Sequence, residues 1–218
     1  MKCNSRTIIP DRLPEKEQEA LIDNILPILI DKGLKAATMD YVASALQMSK
    51  RTLYEVFGSK SGMIRQVLDK MSRRHEEFIR SRFRECGNTL DAMISIYSFH
   101  RDMMRRISAN FFHDMDRFYK EERACYDKDS DCRHVEMLKI IRRGVEEGMF
   151  RPDVDYNVHL RIMGIQMESL KRTEEIFPPD IEFLRVYDAI IIGFLRSIVT
   201  PEGMKRLDAA SASFLTRH

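Results

Sequence analysis

Apolar residues recur three and four positions apart along most of the chain, and no segment shows the strict alternation typical of a strand. The first such segment spans 17–32 and is followed by Gly33, a residue type that is common just past a helix end. Pro27 lies inside this segment and removes a backbone hydrogen bond. The helix therefore either kinks at Pro27 or has its regular part from Asn24 onward.

Helix caps divide the following part of the chain into shorter elements. Thr38 and Ser49 are residue types that cap helix N-termini, and they predict a helix through Leu46 and another over 50–57. Ser59 predicts the start of a long fourth helix. Helical spacing then continues, and it predicts helices over 59–84, 90–108, 111–126, 131–147, 155–173 and 181–199, with a short one after 201. The pattern therefore predicts an all-α fold.

The third helix combines an apolar face with a basic one in the run SKRTLYEVFGSK, residues 49–60. Leu53 and Phe57 share one face because they lie four residues apart, and that face must pack against the first two helices. The polar front is then free to enter the DNA major groove, which admits one α-helix and presents acceptors on base edges. We predict base contacts from three residues of this front: Lys50, Arg51 and Thr52.

The same segment offers hydroxyl groups and helix N-termini that suit phosphate groups. Thr38 opens the second helix and Ser59 opens the fourth, so phosphate contacts would flank the third helix on both sides. Phosphate contacts fix the position on the duplex, whereas base contacts specify its sequence. The residues predicted to contact phosphate are Thr38, Ser49, Tyr54, Ser59 and Lys60. The alternative interpretation is an ordinary surface helix with a solvated charged face.

One set of residues runs through residues 17–64 in a fixed order: Gly33, Thr38, Val42, Ala43, Ser49, Thr52, Leu53, Tyr54, Phe57, Ser59 and Lys60. This set resembles the N-terminal signature of TetR-type (AcrR-like) transcriptional regulators, which contains a run of the form V-S-x-x-T-L-Y-x-x-F-x-S-K. Gln47 stands where the turn of that family usually has glycine, and Met48 replaces a usual valine. Arg51 occupies a position that is often small, which favours a role in this protein's own base choice.

The resemblance implies a three-helix, helix-turn-helix DNA-binding domain at the N-terminus, joined by a long helix to a C-terminal helical domain that binds ligand and dimerises. It also implies a homodimer on a pseudo-palindromic operator in double-stranded DNA, usually a repressor, with a small-molecule effector. We divide the chain accordingly into a flexible arm (1–16), a DNA-binding domain (17–62) and an effector-binding and dimerisation domain (63–218). Two reading helices about 34–36 Å apart would meet successive major grooves on one side of the duplex.

The last two long helices are the predicted dimer interface. The run VYDAIIIGFLRSI is apolar around much of its girth, as in helices that pack on several sides. Gly164 and Gly193 lie inside helices, where each costs about 1 kcal/mol relative to alanine, and close approach of a partner helix would explain that cost. The predicted interface residues are Gly164, Met167, Leu184, Ile191, Phe194 and Leu195. The alternative is that both helices are buried within one subunit.

The central helices are the predicted site of the effector pocket, because they are rich in aromatic residues and in methionine, which adapts to irregular apolar shapes. The predicted lining consists of Met93, Tyr97, Met104, Phe111, Phe112, Met115, Met137, Met163 and Met167. Residues with this spacing also fit a plain hydrophobic core. If a ligand binds, the set favours a fairly apolar one.

Other classes of function find little support in the sequence. The formal net charge is only +2, but five cations face two anions between Lys32 and Lys60. Nucleophile-elbow, phosphate-loop and dinucleotide motifs are absent, and we expect no enzymatic activity, cofactor or metal. The start lacks the apolar run of a signal peptide, and no segment reaches the ~20 apolar residues of a membrane span. We expect a cytoplasmic protein without a membrane partner; a helical small-molecule carrier that retains the motif without acting on DNA is the alternative.

Overall fold

The computed structural model describes residues 14–107, 109–121, 130–170, 176–178 and 180–215. They form the helices α1 (Glu15–Lys32), α2 (Met39–Ala45), α3 (Lys50–Phe57), α4 (Lys60–Glu85), α5 (Thr89–Arg106), α6 (Ala109–Phe118), α7 (Ser130–Glu146), α8 (Tyr156–Ser169), α9 (Phe183–Ile198) and α10 (Pro201–Leu215). Strand-like pairing within these residues is limited to an isolated antiparallel bridge between Phe150 and Val199. The predicted all-α fold is confirmed. Most of the predicted N-terminal arm lies outside the described residues.

The predicted N-caps are confirmed at the start of α2, α3 and α4. The Thr38 side chain accepts the backbone N–H of Tyr41, and Ser49 and Ser59 accept the corresponding N–H groups three residues on. Each cap satisfies one of the backbone donors that a helix start leaves without a partner. The short helices α2 and α3 therefore have well-defined starts, and these starts fix the geometry of the turn between them.

Helix α1 runs without interruption from Glu15 to Lys32 and contains Pro27. The alternative in which its regular part begins only near Asn24 is therefore wrong. The helix ends at Gly33, whose φ of 84° lies in the region that glycine adopts without strain. Because Leu21, Ile25 and Leu29 are all buried, packing of this face compensates for the hydrogen bond that Pro27 removes.

The first hydrophobic core joins α1–α4 to a helix that lies far away in sequence. Leu53 and Phe57 of α3 are buried in it with residues of α1, α2 and the first half of α4. Phe111 and Met115 of α6 belong to the same core. Apolar packing therefore extends beyond residue 62, where we placed the end of the DNA-binding domain from the sequence; the functional division itself stays a prediction.

Two further cores occupy the rest of the described chain. The second core gathers α5, α7, α8, α9 and α10 around buried residues such as Leu90, Ile141 and Leu195. The third core is smaller and lies between α5, α8 and α9, with Tyr97, Leu170, Val186 and Tyr187 buried. Helix α4 packs against α5, so it connects the first core to the other two.

Candidate nucleic-acid interface

One face of helix α3 packs in the first core, and the opposite face is exposed to solvent. Leu53 is 0% exposed and Phe57 is 5% exposed, and both pack in the first core. On the opposite side, the Arg51 side chain is 89% exposed, and Lys50 and Tyr54 are exposed as well. An eight-residue helix is about 12 Å long, which suits insertion into a major groove.

The two cations predicted to contact bases are each paired with a carboxylate. Lys50 Nζ lies 2.8 Å from an oxygen of Asp40 on α2, and Arg51 Nε lies 2.8 Å from Glu55 one turn along α3. The hydrogen bond that Lys50 donates to Asp40 raises the pKa of Lys50, and the one that Arg51 donates to Glu55 raises the pKa of Arg51. Both cations are therefore fully charged at neutral pH, and both are oriented before any DNA arrives.

The hydroxyl groups predicted to contact DNA serve as caps but keep their own hydrogens. Thr38, Ser49 and Ser59 accept backbone N–H groups, so none of these hydroxyl groups uses its hydrogen in the cap itself. The oxygens of Ser49 and Thr52 are 2.7 Å apart, so one of these two hydroxyls donates to the other. The caps and the predicted phosphate contacts are thus compatible uses of the same groups.

Lys60 differs from the other predicted phosphate contacts because it is half-buried. Its Nζ donates to the backbone oxygen of Lys35 at 2.8 Å. Burial lowers the pKa of Lys60, and the negative charge of Asp114 opposes that effect. The Lys60 ammonium thus holds the loop before α2, and it would have to leave this oxygen or share its hydrogens to reach a phosphate.

The turn between α2 and α3 accommodates Gln47 in a left-handed conformation with φ of 54°. Two backbone hydrogen bonds stabilise this turn, from Gln47 to Ser44 at 3.1 Å and from Met48 to Ala43 at 2.9 Å. The family usually has glycine at this position because glycine adopts such a φ without cost. The turn therefore has a left-handed conformation that glutamine adopts less readily than glycine does.

Sequence reasoning missed three contributors to this surface. Tyr41 of α2 is exposed, and the Lys32 ammonium lies 5.1 Å from the centroid of its ring. The third is Asp114 of α6, a buried carboxylate that accepts the backbone N–H of Lys35 at 2.7 Å. The position of Tyr41 in the first turn of α2 could have indicated its exposure, whereas the contact with Asp114 spans 79 residues and has no local signal.

The predicted dimer-interface residues divide into accessible and buried positions. Gly164 is exposed, and a Cβ built on it would meet nothing within 4 Å. Met167, Leu184 and Ile191 are partly exposed. Phe194 and Leu195 instead lie in the subunit's own second core, and Leu195 is only 1% exposed. The interface itself stays a prediction.

The predicted effector-pocket residues do not come together at one place. Phe111 and Met115 lie in the first core, Met93, Met137 and Met163 in the second, and Tyr97, Met104 and Met167 in the third. The side chain of Phe112 lies outside the described part of the structure. The pattern could not separate these groups, because methionine and aromatic residues at helical spacing occur in every core. Which of them contact an effector stays a prediction.

A cavity of about 420 Å³ opens between the end of α8 and the start of α9. Its lining residues are Gln166, Ser169, Phe177, Ile181, Arg185, Val186, Ala189 and Ile190. Four of them, Phe177, Ile181, Val186 and Ile190, also belong to the third core. Its volume is within the range of ligand pockets, about 300–1,000 Å³.

Among the described residues, no helix combines the length and the apolarity that crossing a bilayer requires.

The amino-acid sequence is similar to known bacterial transcriptional regulators. Residues 21–67 match the family model described as bacterial regulatory proteins, tetR family. The HTH-type transcriptional repressor KstR2 of Rhodococcus jostii is 24% identical over 148 residues, which cover 66% of this chain and 72% of the relative. KstR2 of Mycobacterium tuberculosis is 24% identical over 151 residues, with 66% and 74% coverage.

Solved structures share the fold over most of the chain. The ketosteroid transcriptional regulator KstR2 of M. tuberculosis superimposes with a TM-score of 0.52 at 16% identity and covers 86% of this chain and 97% of its own. The regulator FadR of Bacillus subtilis in complex with stearoyl-CoA gives a TM-score of 0.57 at 11% identity, with 83% and 98% coverage. Residues 21–67 thus match the tetR family of bacterial regulatory proteins, and the chain is similar to HTH-type transcriptional repressors in sequence and to solved transcriptional regulators in fold.

Proposed function

We propose that the protein is a homodimeric repressor that binds a pseudo-palindromic operator through α3 and is released by a small, fairly apolar effector. The observation that carries this proposal is the geometry of α3, whose buried Leu53 and Phe57 leave Lys50, Arg51 and Tyr54 at the solvent face. A helix braced from behind holds its base-contacting side chains in a fixed register. Fixed register is what sequence-specific readout in the major groove requires.

An exposed apolar stripe on α8 supports dimerisation. Val158, Ile162 and Ile165 lie three and four residues apart on one side of this helix, and Ile165 is 72% exposed. Gly164 and Gly193 have open space where a Cβ would stand, so a partner helix could approach the backbone closely there. Soluble proteins seldom leave such a contiguous apolar stripe uncovered, and a second copy of this helix would cover it.

Two observations support an apolar effector. The cavity of about 420 Å³ has apolar side chains over most of its lining. The relatives KstR2 and FadR are described as a ketosteroid regulator and as a complex with stearoyl-CoA, and both descriptions indicate molecules with a large apolar part. Ligand binding would release DNA if it favoured a conformation in which the two α3 helices no longer match the operator spacing.

The test is retardation of the DNA upstream of the protein's own coding sequence at moderate salt, followed by base-by-base substitution of the retarded site. Arg51→Ala is expected to relax discrimination by about tenfold at one operator position, since a bidentate guanidinium contact reads one base. Tyr54→Phe is expected to weaken binding evenly across sequences, because a phosphate contact carries no base information.

Arg80→Ala is the matched control for Arg51→Ala. Arg80 also pairs with a carboxylate one turn away on its helix, Glu76 at 3.3 Å, and its side chain is 73% exposed. It lies about 30 Å along α4 from Lys60, far from the reading helix. Failure of the unaltered protein to retard any duplex, or an Arg51→Ala protein that behaves as Arg80→Ala does at every base, contradicts the proposal.

A further inference from the structure

Arg101 of α5 and Asp188 of α9 form an ion pair that involves few of the N–H donors of the guanidinium. Arg101 Nε donates to Asp188 Oδ1 at 3.1 Å and to Oδ2 at 3.0 Å. The Tyr97 hydroxyl donates to Oδ1 of the same carboxylate at 2.6 Å. Arginine has five N–H donors, and only the one on Nε is used here, shared between the two oxygens of Asp188.

The two Nη groups of Arg101 make no hydrogen bond to any part of the chain that the structure describes. Arginine–carboxylate pairs commonly use two parallel N–H donors, one to each oxygen, and this pair does not. The Arg101 side chain is 9% exposed, so it is largely withdrawn from water but still reachable. Among the described residues, the fully buried side-chain N and O atoms without a hydrogen-bond partner are Asp23 Oδ1 and Thr89 Oγ1, so the Nη groups of Arg101 stay open to an acceptor from outside the chain.

The surroundings of this pair are apolar and incompletely packed. Tyr97, one helical turn before Arg101, is buried in the third core, and Met104 and Met167 pack against that core while remaining partly exposed. The cavity of about 420 Å³ borders the same core through Val186 and Ile190. The Arg101 guanidinium thus lies beside the third core. Several apolar residues that pack against this core are partly exposed, and the cavity adjoins it.

We propose that Arg101 is the polar anchor of the effector site, where its Nη groups bind the anionic end of a small molecule whose body is apolar. This inference rests on the proposed function and assigns a chemical class to its effector: an amphipathic anion such as an apolar carboxylate. Asp188 and Tyr97 act as positioning residues, because they hold the guanidinium by its Nε edge and keep the Nη fork turned towards the ligand. The aliphatic and aromatic members of the third core contact the apolar body.

The experiment compares two fluorescent probes with the same ring system. 8-Anilino-1-naphthalenesulfonate carries a sulfonate, and N-phenyl-1-naphthylamine lacks it. The proteins are the unaltered full chain, Asp188→Asn, Arg185→Gln and the double variant Arg101→Gln/Asp188→Asn. The double variant removes both charges together, so that no unpaired ion remains buried. Asp188→Asn leaves the Arg101 charge without its ionic partner but keeps Oδ1 as the acceptor for Arg101 Nε and for Tyr97.

In the double variant we expect at least tenfold weaker binding of the sulfonate probe and less than twofold change for the neutral probe. In Asp188→Asn we expect about threefold to tenfold tighter binding of the sulfonate probe, because the asparagine still accepts from Tyr97 while the competing negative charge is gone. A purely structural ion pair predicts no such gain. The matched control is Arg196→Gln/Asp208→Asn, which removes an exposed pair of the same type between α9 and α10, 3.0 Å between Nη2 and Oδ1.

Three results would overturn the inference: sulfonate binding within twofold of the unaltered protein in the double variant, equal losses for both probes, or unchanged or weaker sulfonate binding in Asp188→Asn. A fourth such result would be a loss confined to Arg185→Gln, which would place the anion at the cavity rim instead. None of these arms uses DNA. If the protein retards its operator but the probe results are not as expected, the role of Arg101 is rejected and the proposed regulatory function is retained. If the protein retards no duplex, the proposed function is rejected whatever the probes show.

Discussion

At the scale of single residues, the reading face of α3 is balanced in charge. Lys50 and Arg51 carry the cations, and Asp40 and Glu55 neutralise them within 2.8 Å. These carboxylates orient the cations. In the proposed complex with DNA they would also repel phosphate groups and occupy N–H donors that the bases would otherwise use. The arrangement favours discrimination between sequences over affinity for DNA in general, since non-specific binding depends on net positive charge.

Glu55→Gln is therefore expected to tighten DNA binding. The substitution frees Arg51 and removes one negative charge from the interface, and we expect about twofold to fivefold higher affinity for operator and random duplex alike, in keeping with the modest strength of exposed pairs. Fluorescence anisotropy at several salt concentrations measures both affinities. Glu76→Gln, which breaks a similar pair on α4, is expected to leave them unchanged. Weaker binding by Glu55→Gln would show that Glu55 is needed to orient Arg51.

At the scale of elements, the helices could be predicted from local sequence signals, whereas the contacts between helices distant in sequence could not. Thr38, Ser49 and Ser59 marked helix starts because a cap is a matter of a few neighbouring residues. The α2–α3 pair and its exposed front followed from residue spacing alone. The placement of α6 in the first core could not, because nothing near Phe111 in the sequence indicates that it packs against α1 rather than against its neighbours.

A buried ionic contact fastens α1 to α4 within the first core. Lys70 Nζ donates to the backbone oxygen of Glu19 at 2.6 Å and lies 3.0 Å from Asp23, which Arg74 contacts at 2.9 Å. Burial disfavours the charged form of Asp23, but the hydrogen bonds from Lys70 and Arg74 outweigh it and lower its pKa. A carboxyl with a lowered pKa stabilises the fold above its unfolded-state pKa of about 4, and this stabilisation is lost as the pH falls through the folded-state pKa.

Asp23→Asn is accordingly expected to lower the free energy of unfolding at pH 7 by about 1–2 kcal/mol, because Lys70 is left buried with a neutral partner. Urea unfolding at fixed protein concentration measures the difference, which should shrink as the pH falls below about 4, where the unaltered protein also protonates Asp23. Asp69→Asn, in an exposed pair with Arg73, should change stability by less than about 0.5 kcal/mol. A difference for Asp23→Asn that is independent of pH would exclude an ionic origin.

At the scale of the whole molecule, the helix that begins at the DNA-binding surface also reaches the rest of the chain. Lys60 opens α4 beside the loop before α2, and the same helix packs against α5 further on. Asp114 of α6 holds that loop from the other side. The sequence predicted that α4 would connect the N-terminal helices to the rest of the chain. It did not predict the contact between α6 and the loop before α2, since one carboxylate that accepts a backbone N–H produces no recognisable sequence pattern.

Ile165→Glu is expected to disrupt the proposed dimer. The substitution places a charge in the middle of the exposed stripe of α8, and its burial against a partner would be strongly unfavourable. Sedimentation equilibrium should show a monomer, and DNA affinity should fall because each half-site is then bound separately. Val135→Glu is the control, since Val135 is an exposed apolar residue of α7 outside that stripe. A dimer of unchanged stability in Ile165→Glu would place the interface elsewhere.

Selection of bound duplexes from random DNA by the full-length protein tests the central claim, that two copies of α3 read DNA together. The account predicts enrichment of a pseudo-palindrome whose half-site centres lie about 10 base pairs, or a multiple, apart, with two subunits on each half-site pair. It also predicts that Arg51→Ala selects a motif with at least one relaxed position in each half. Recovery of sequences no different from the starting pool would contradict the account.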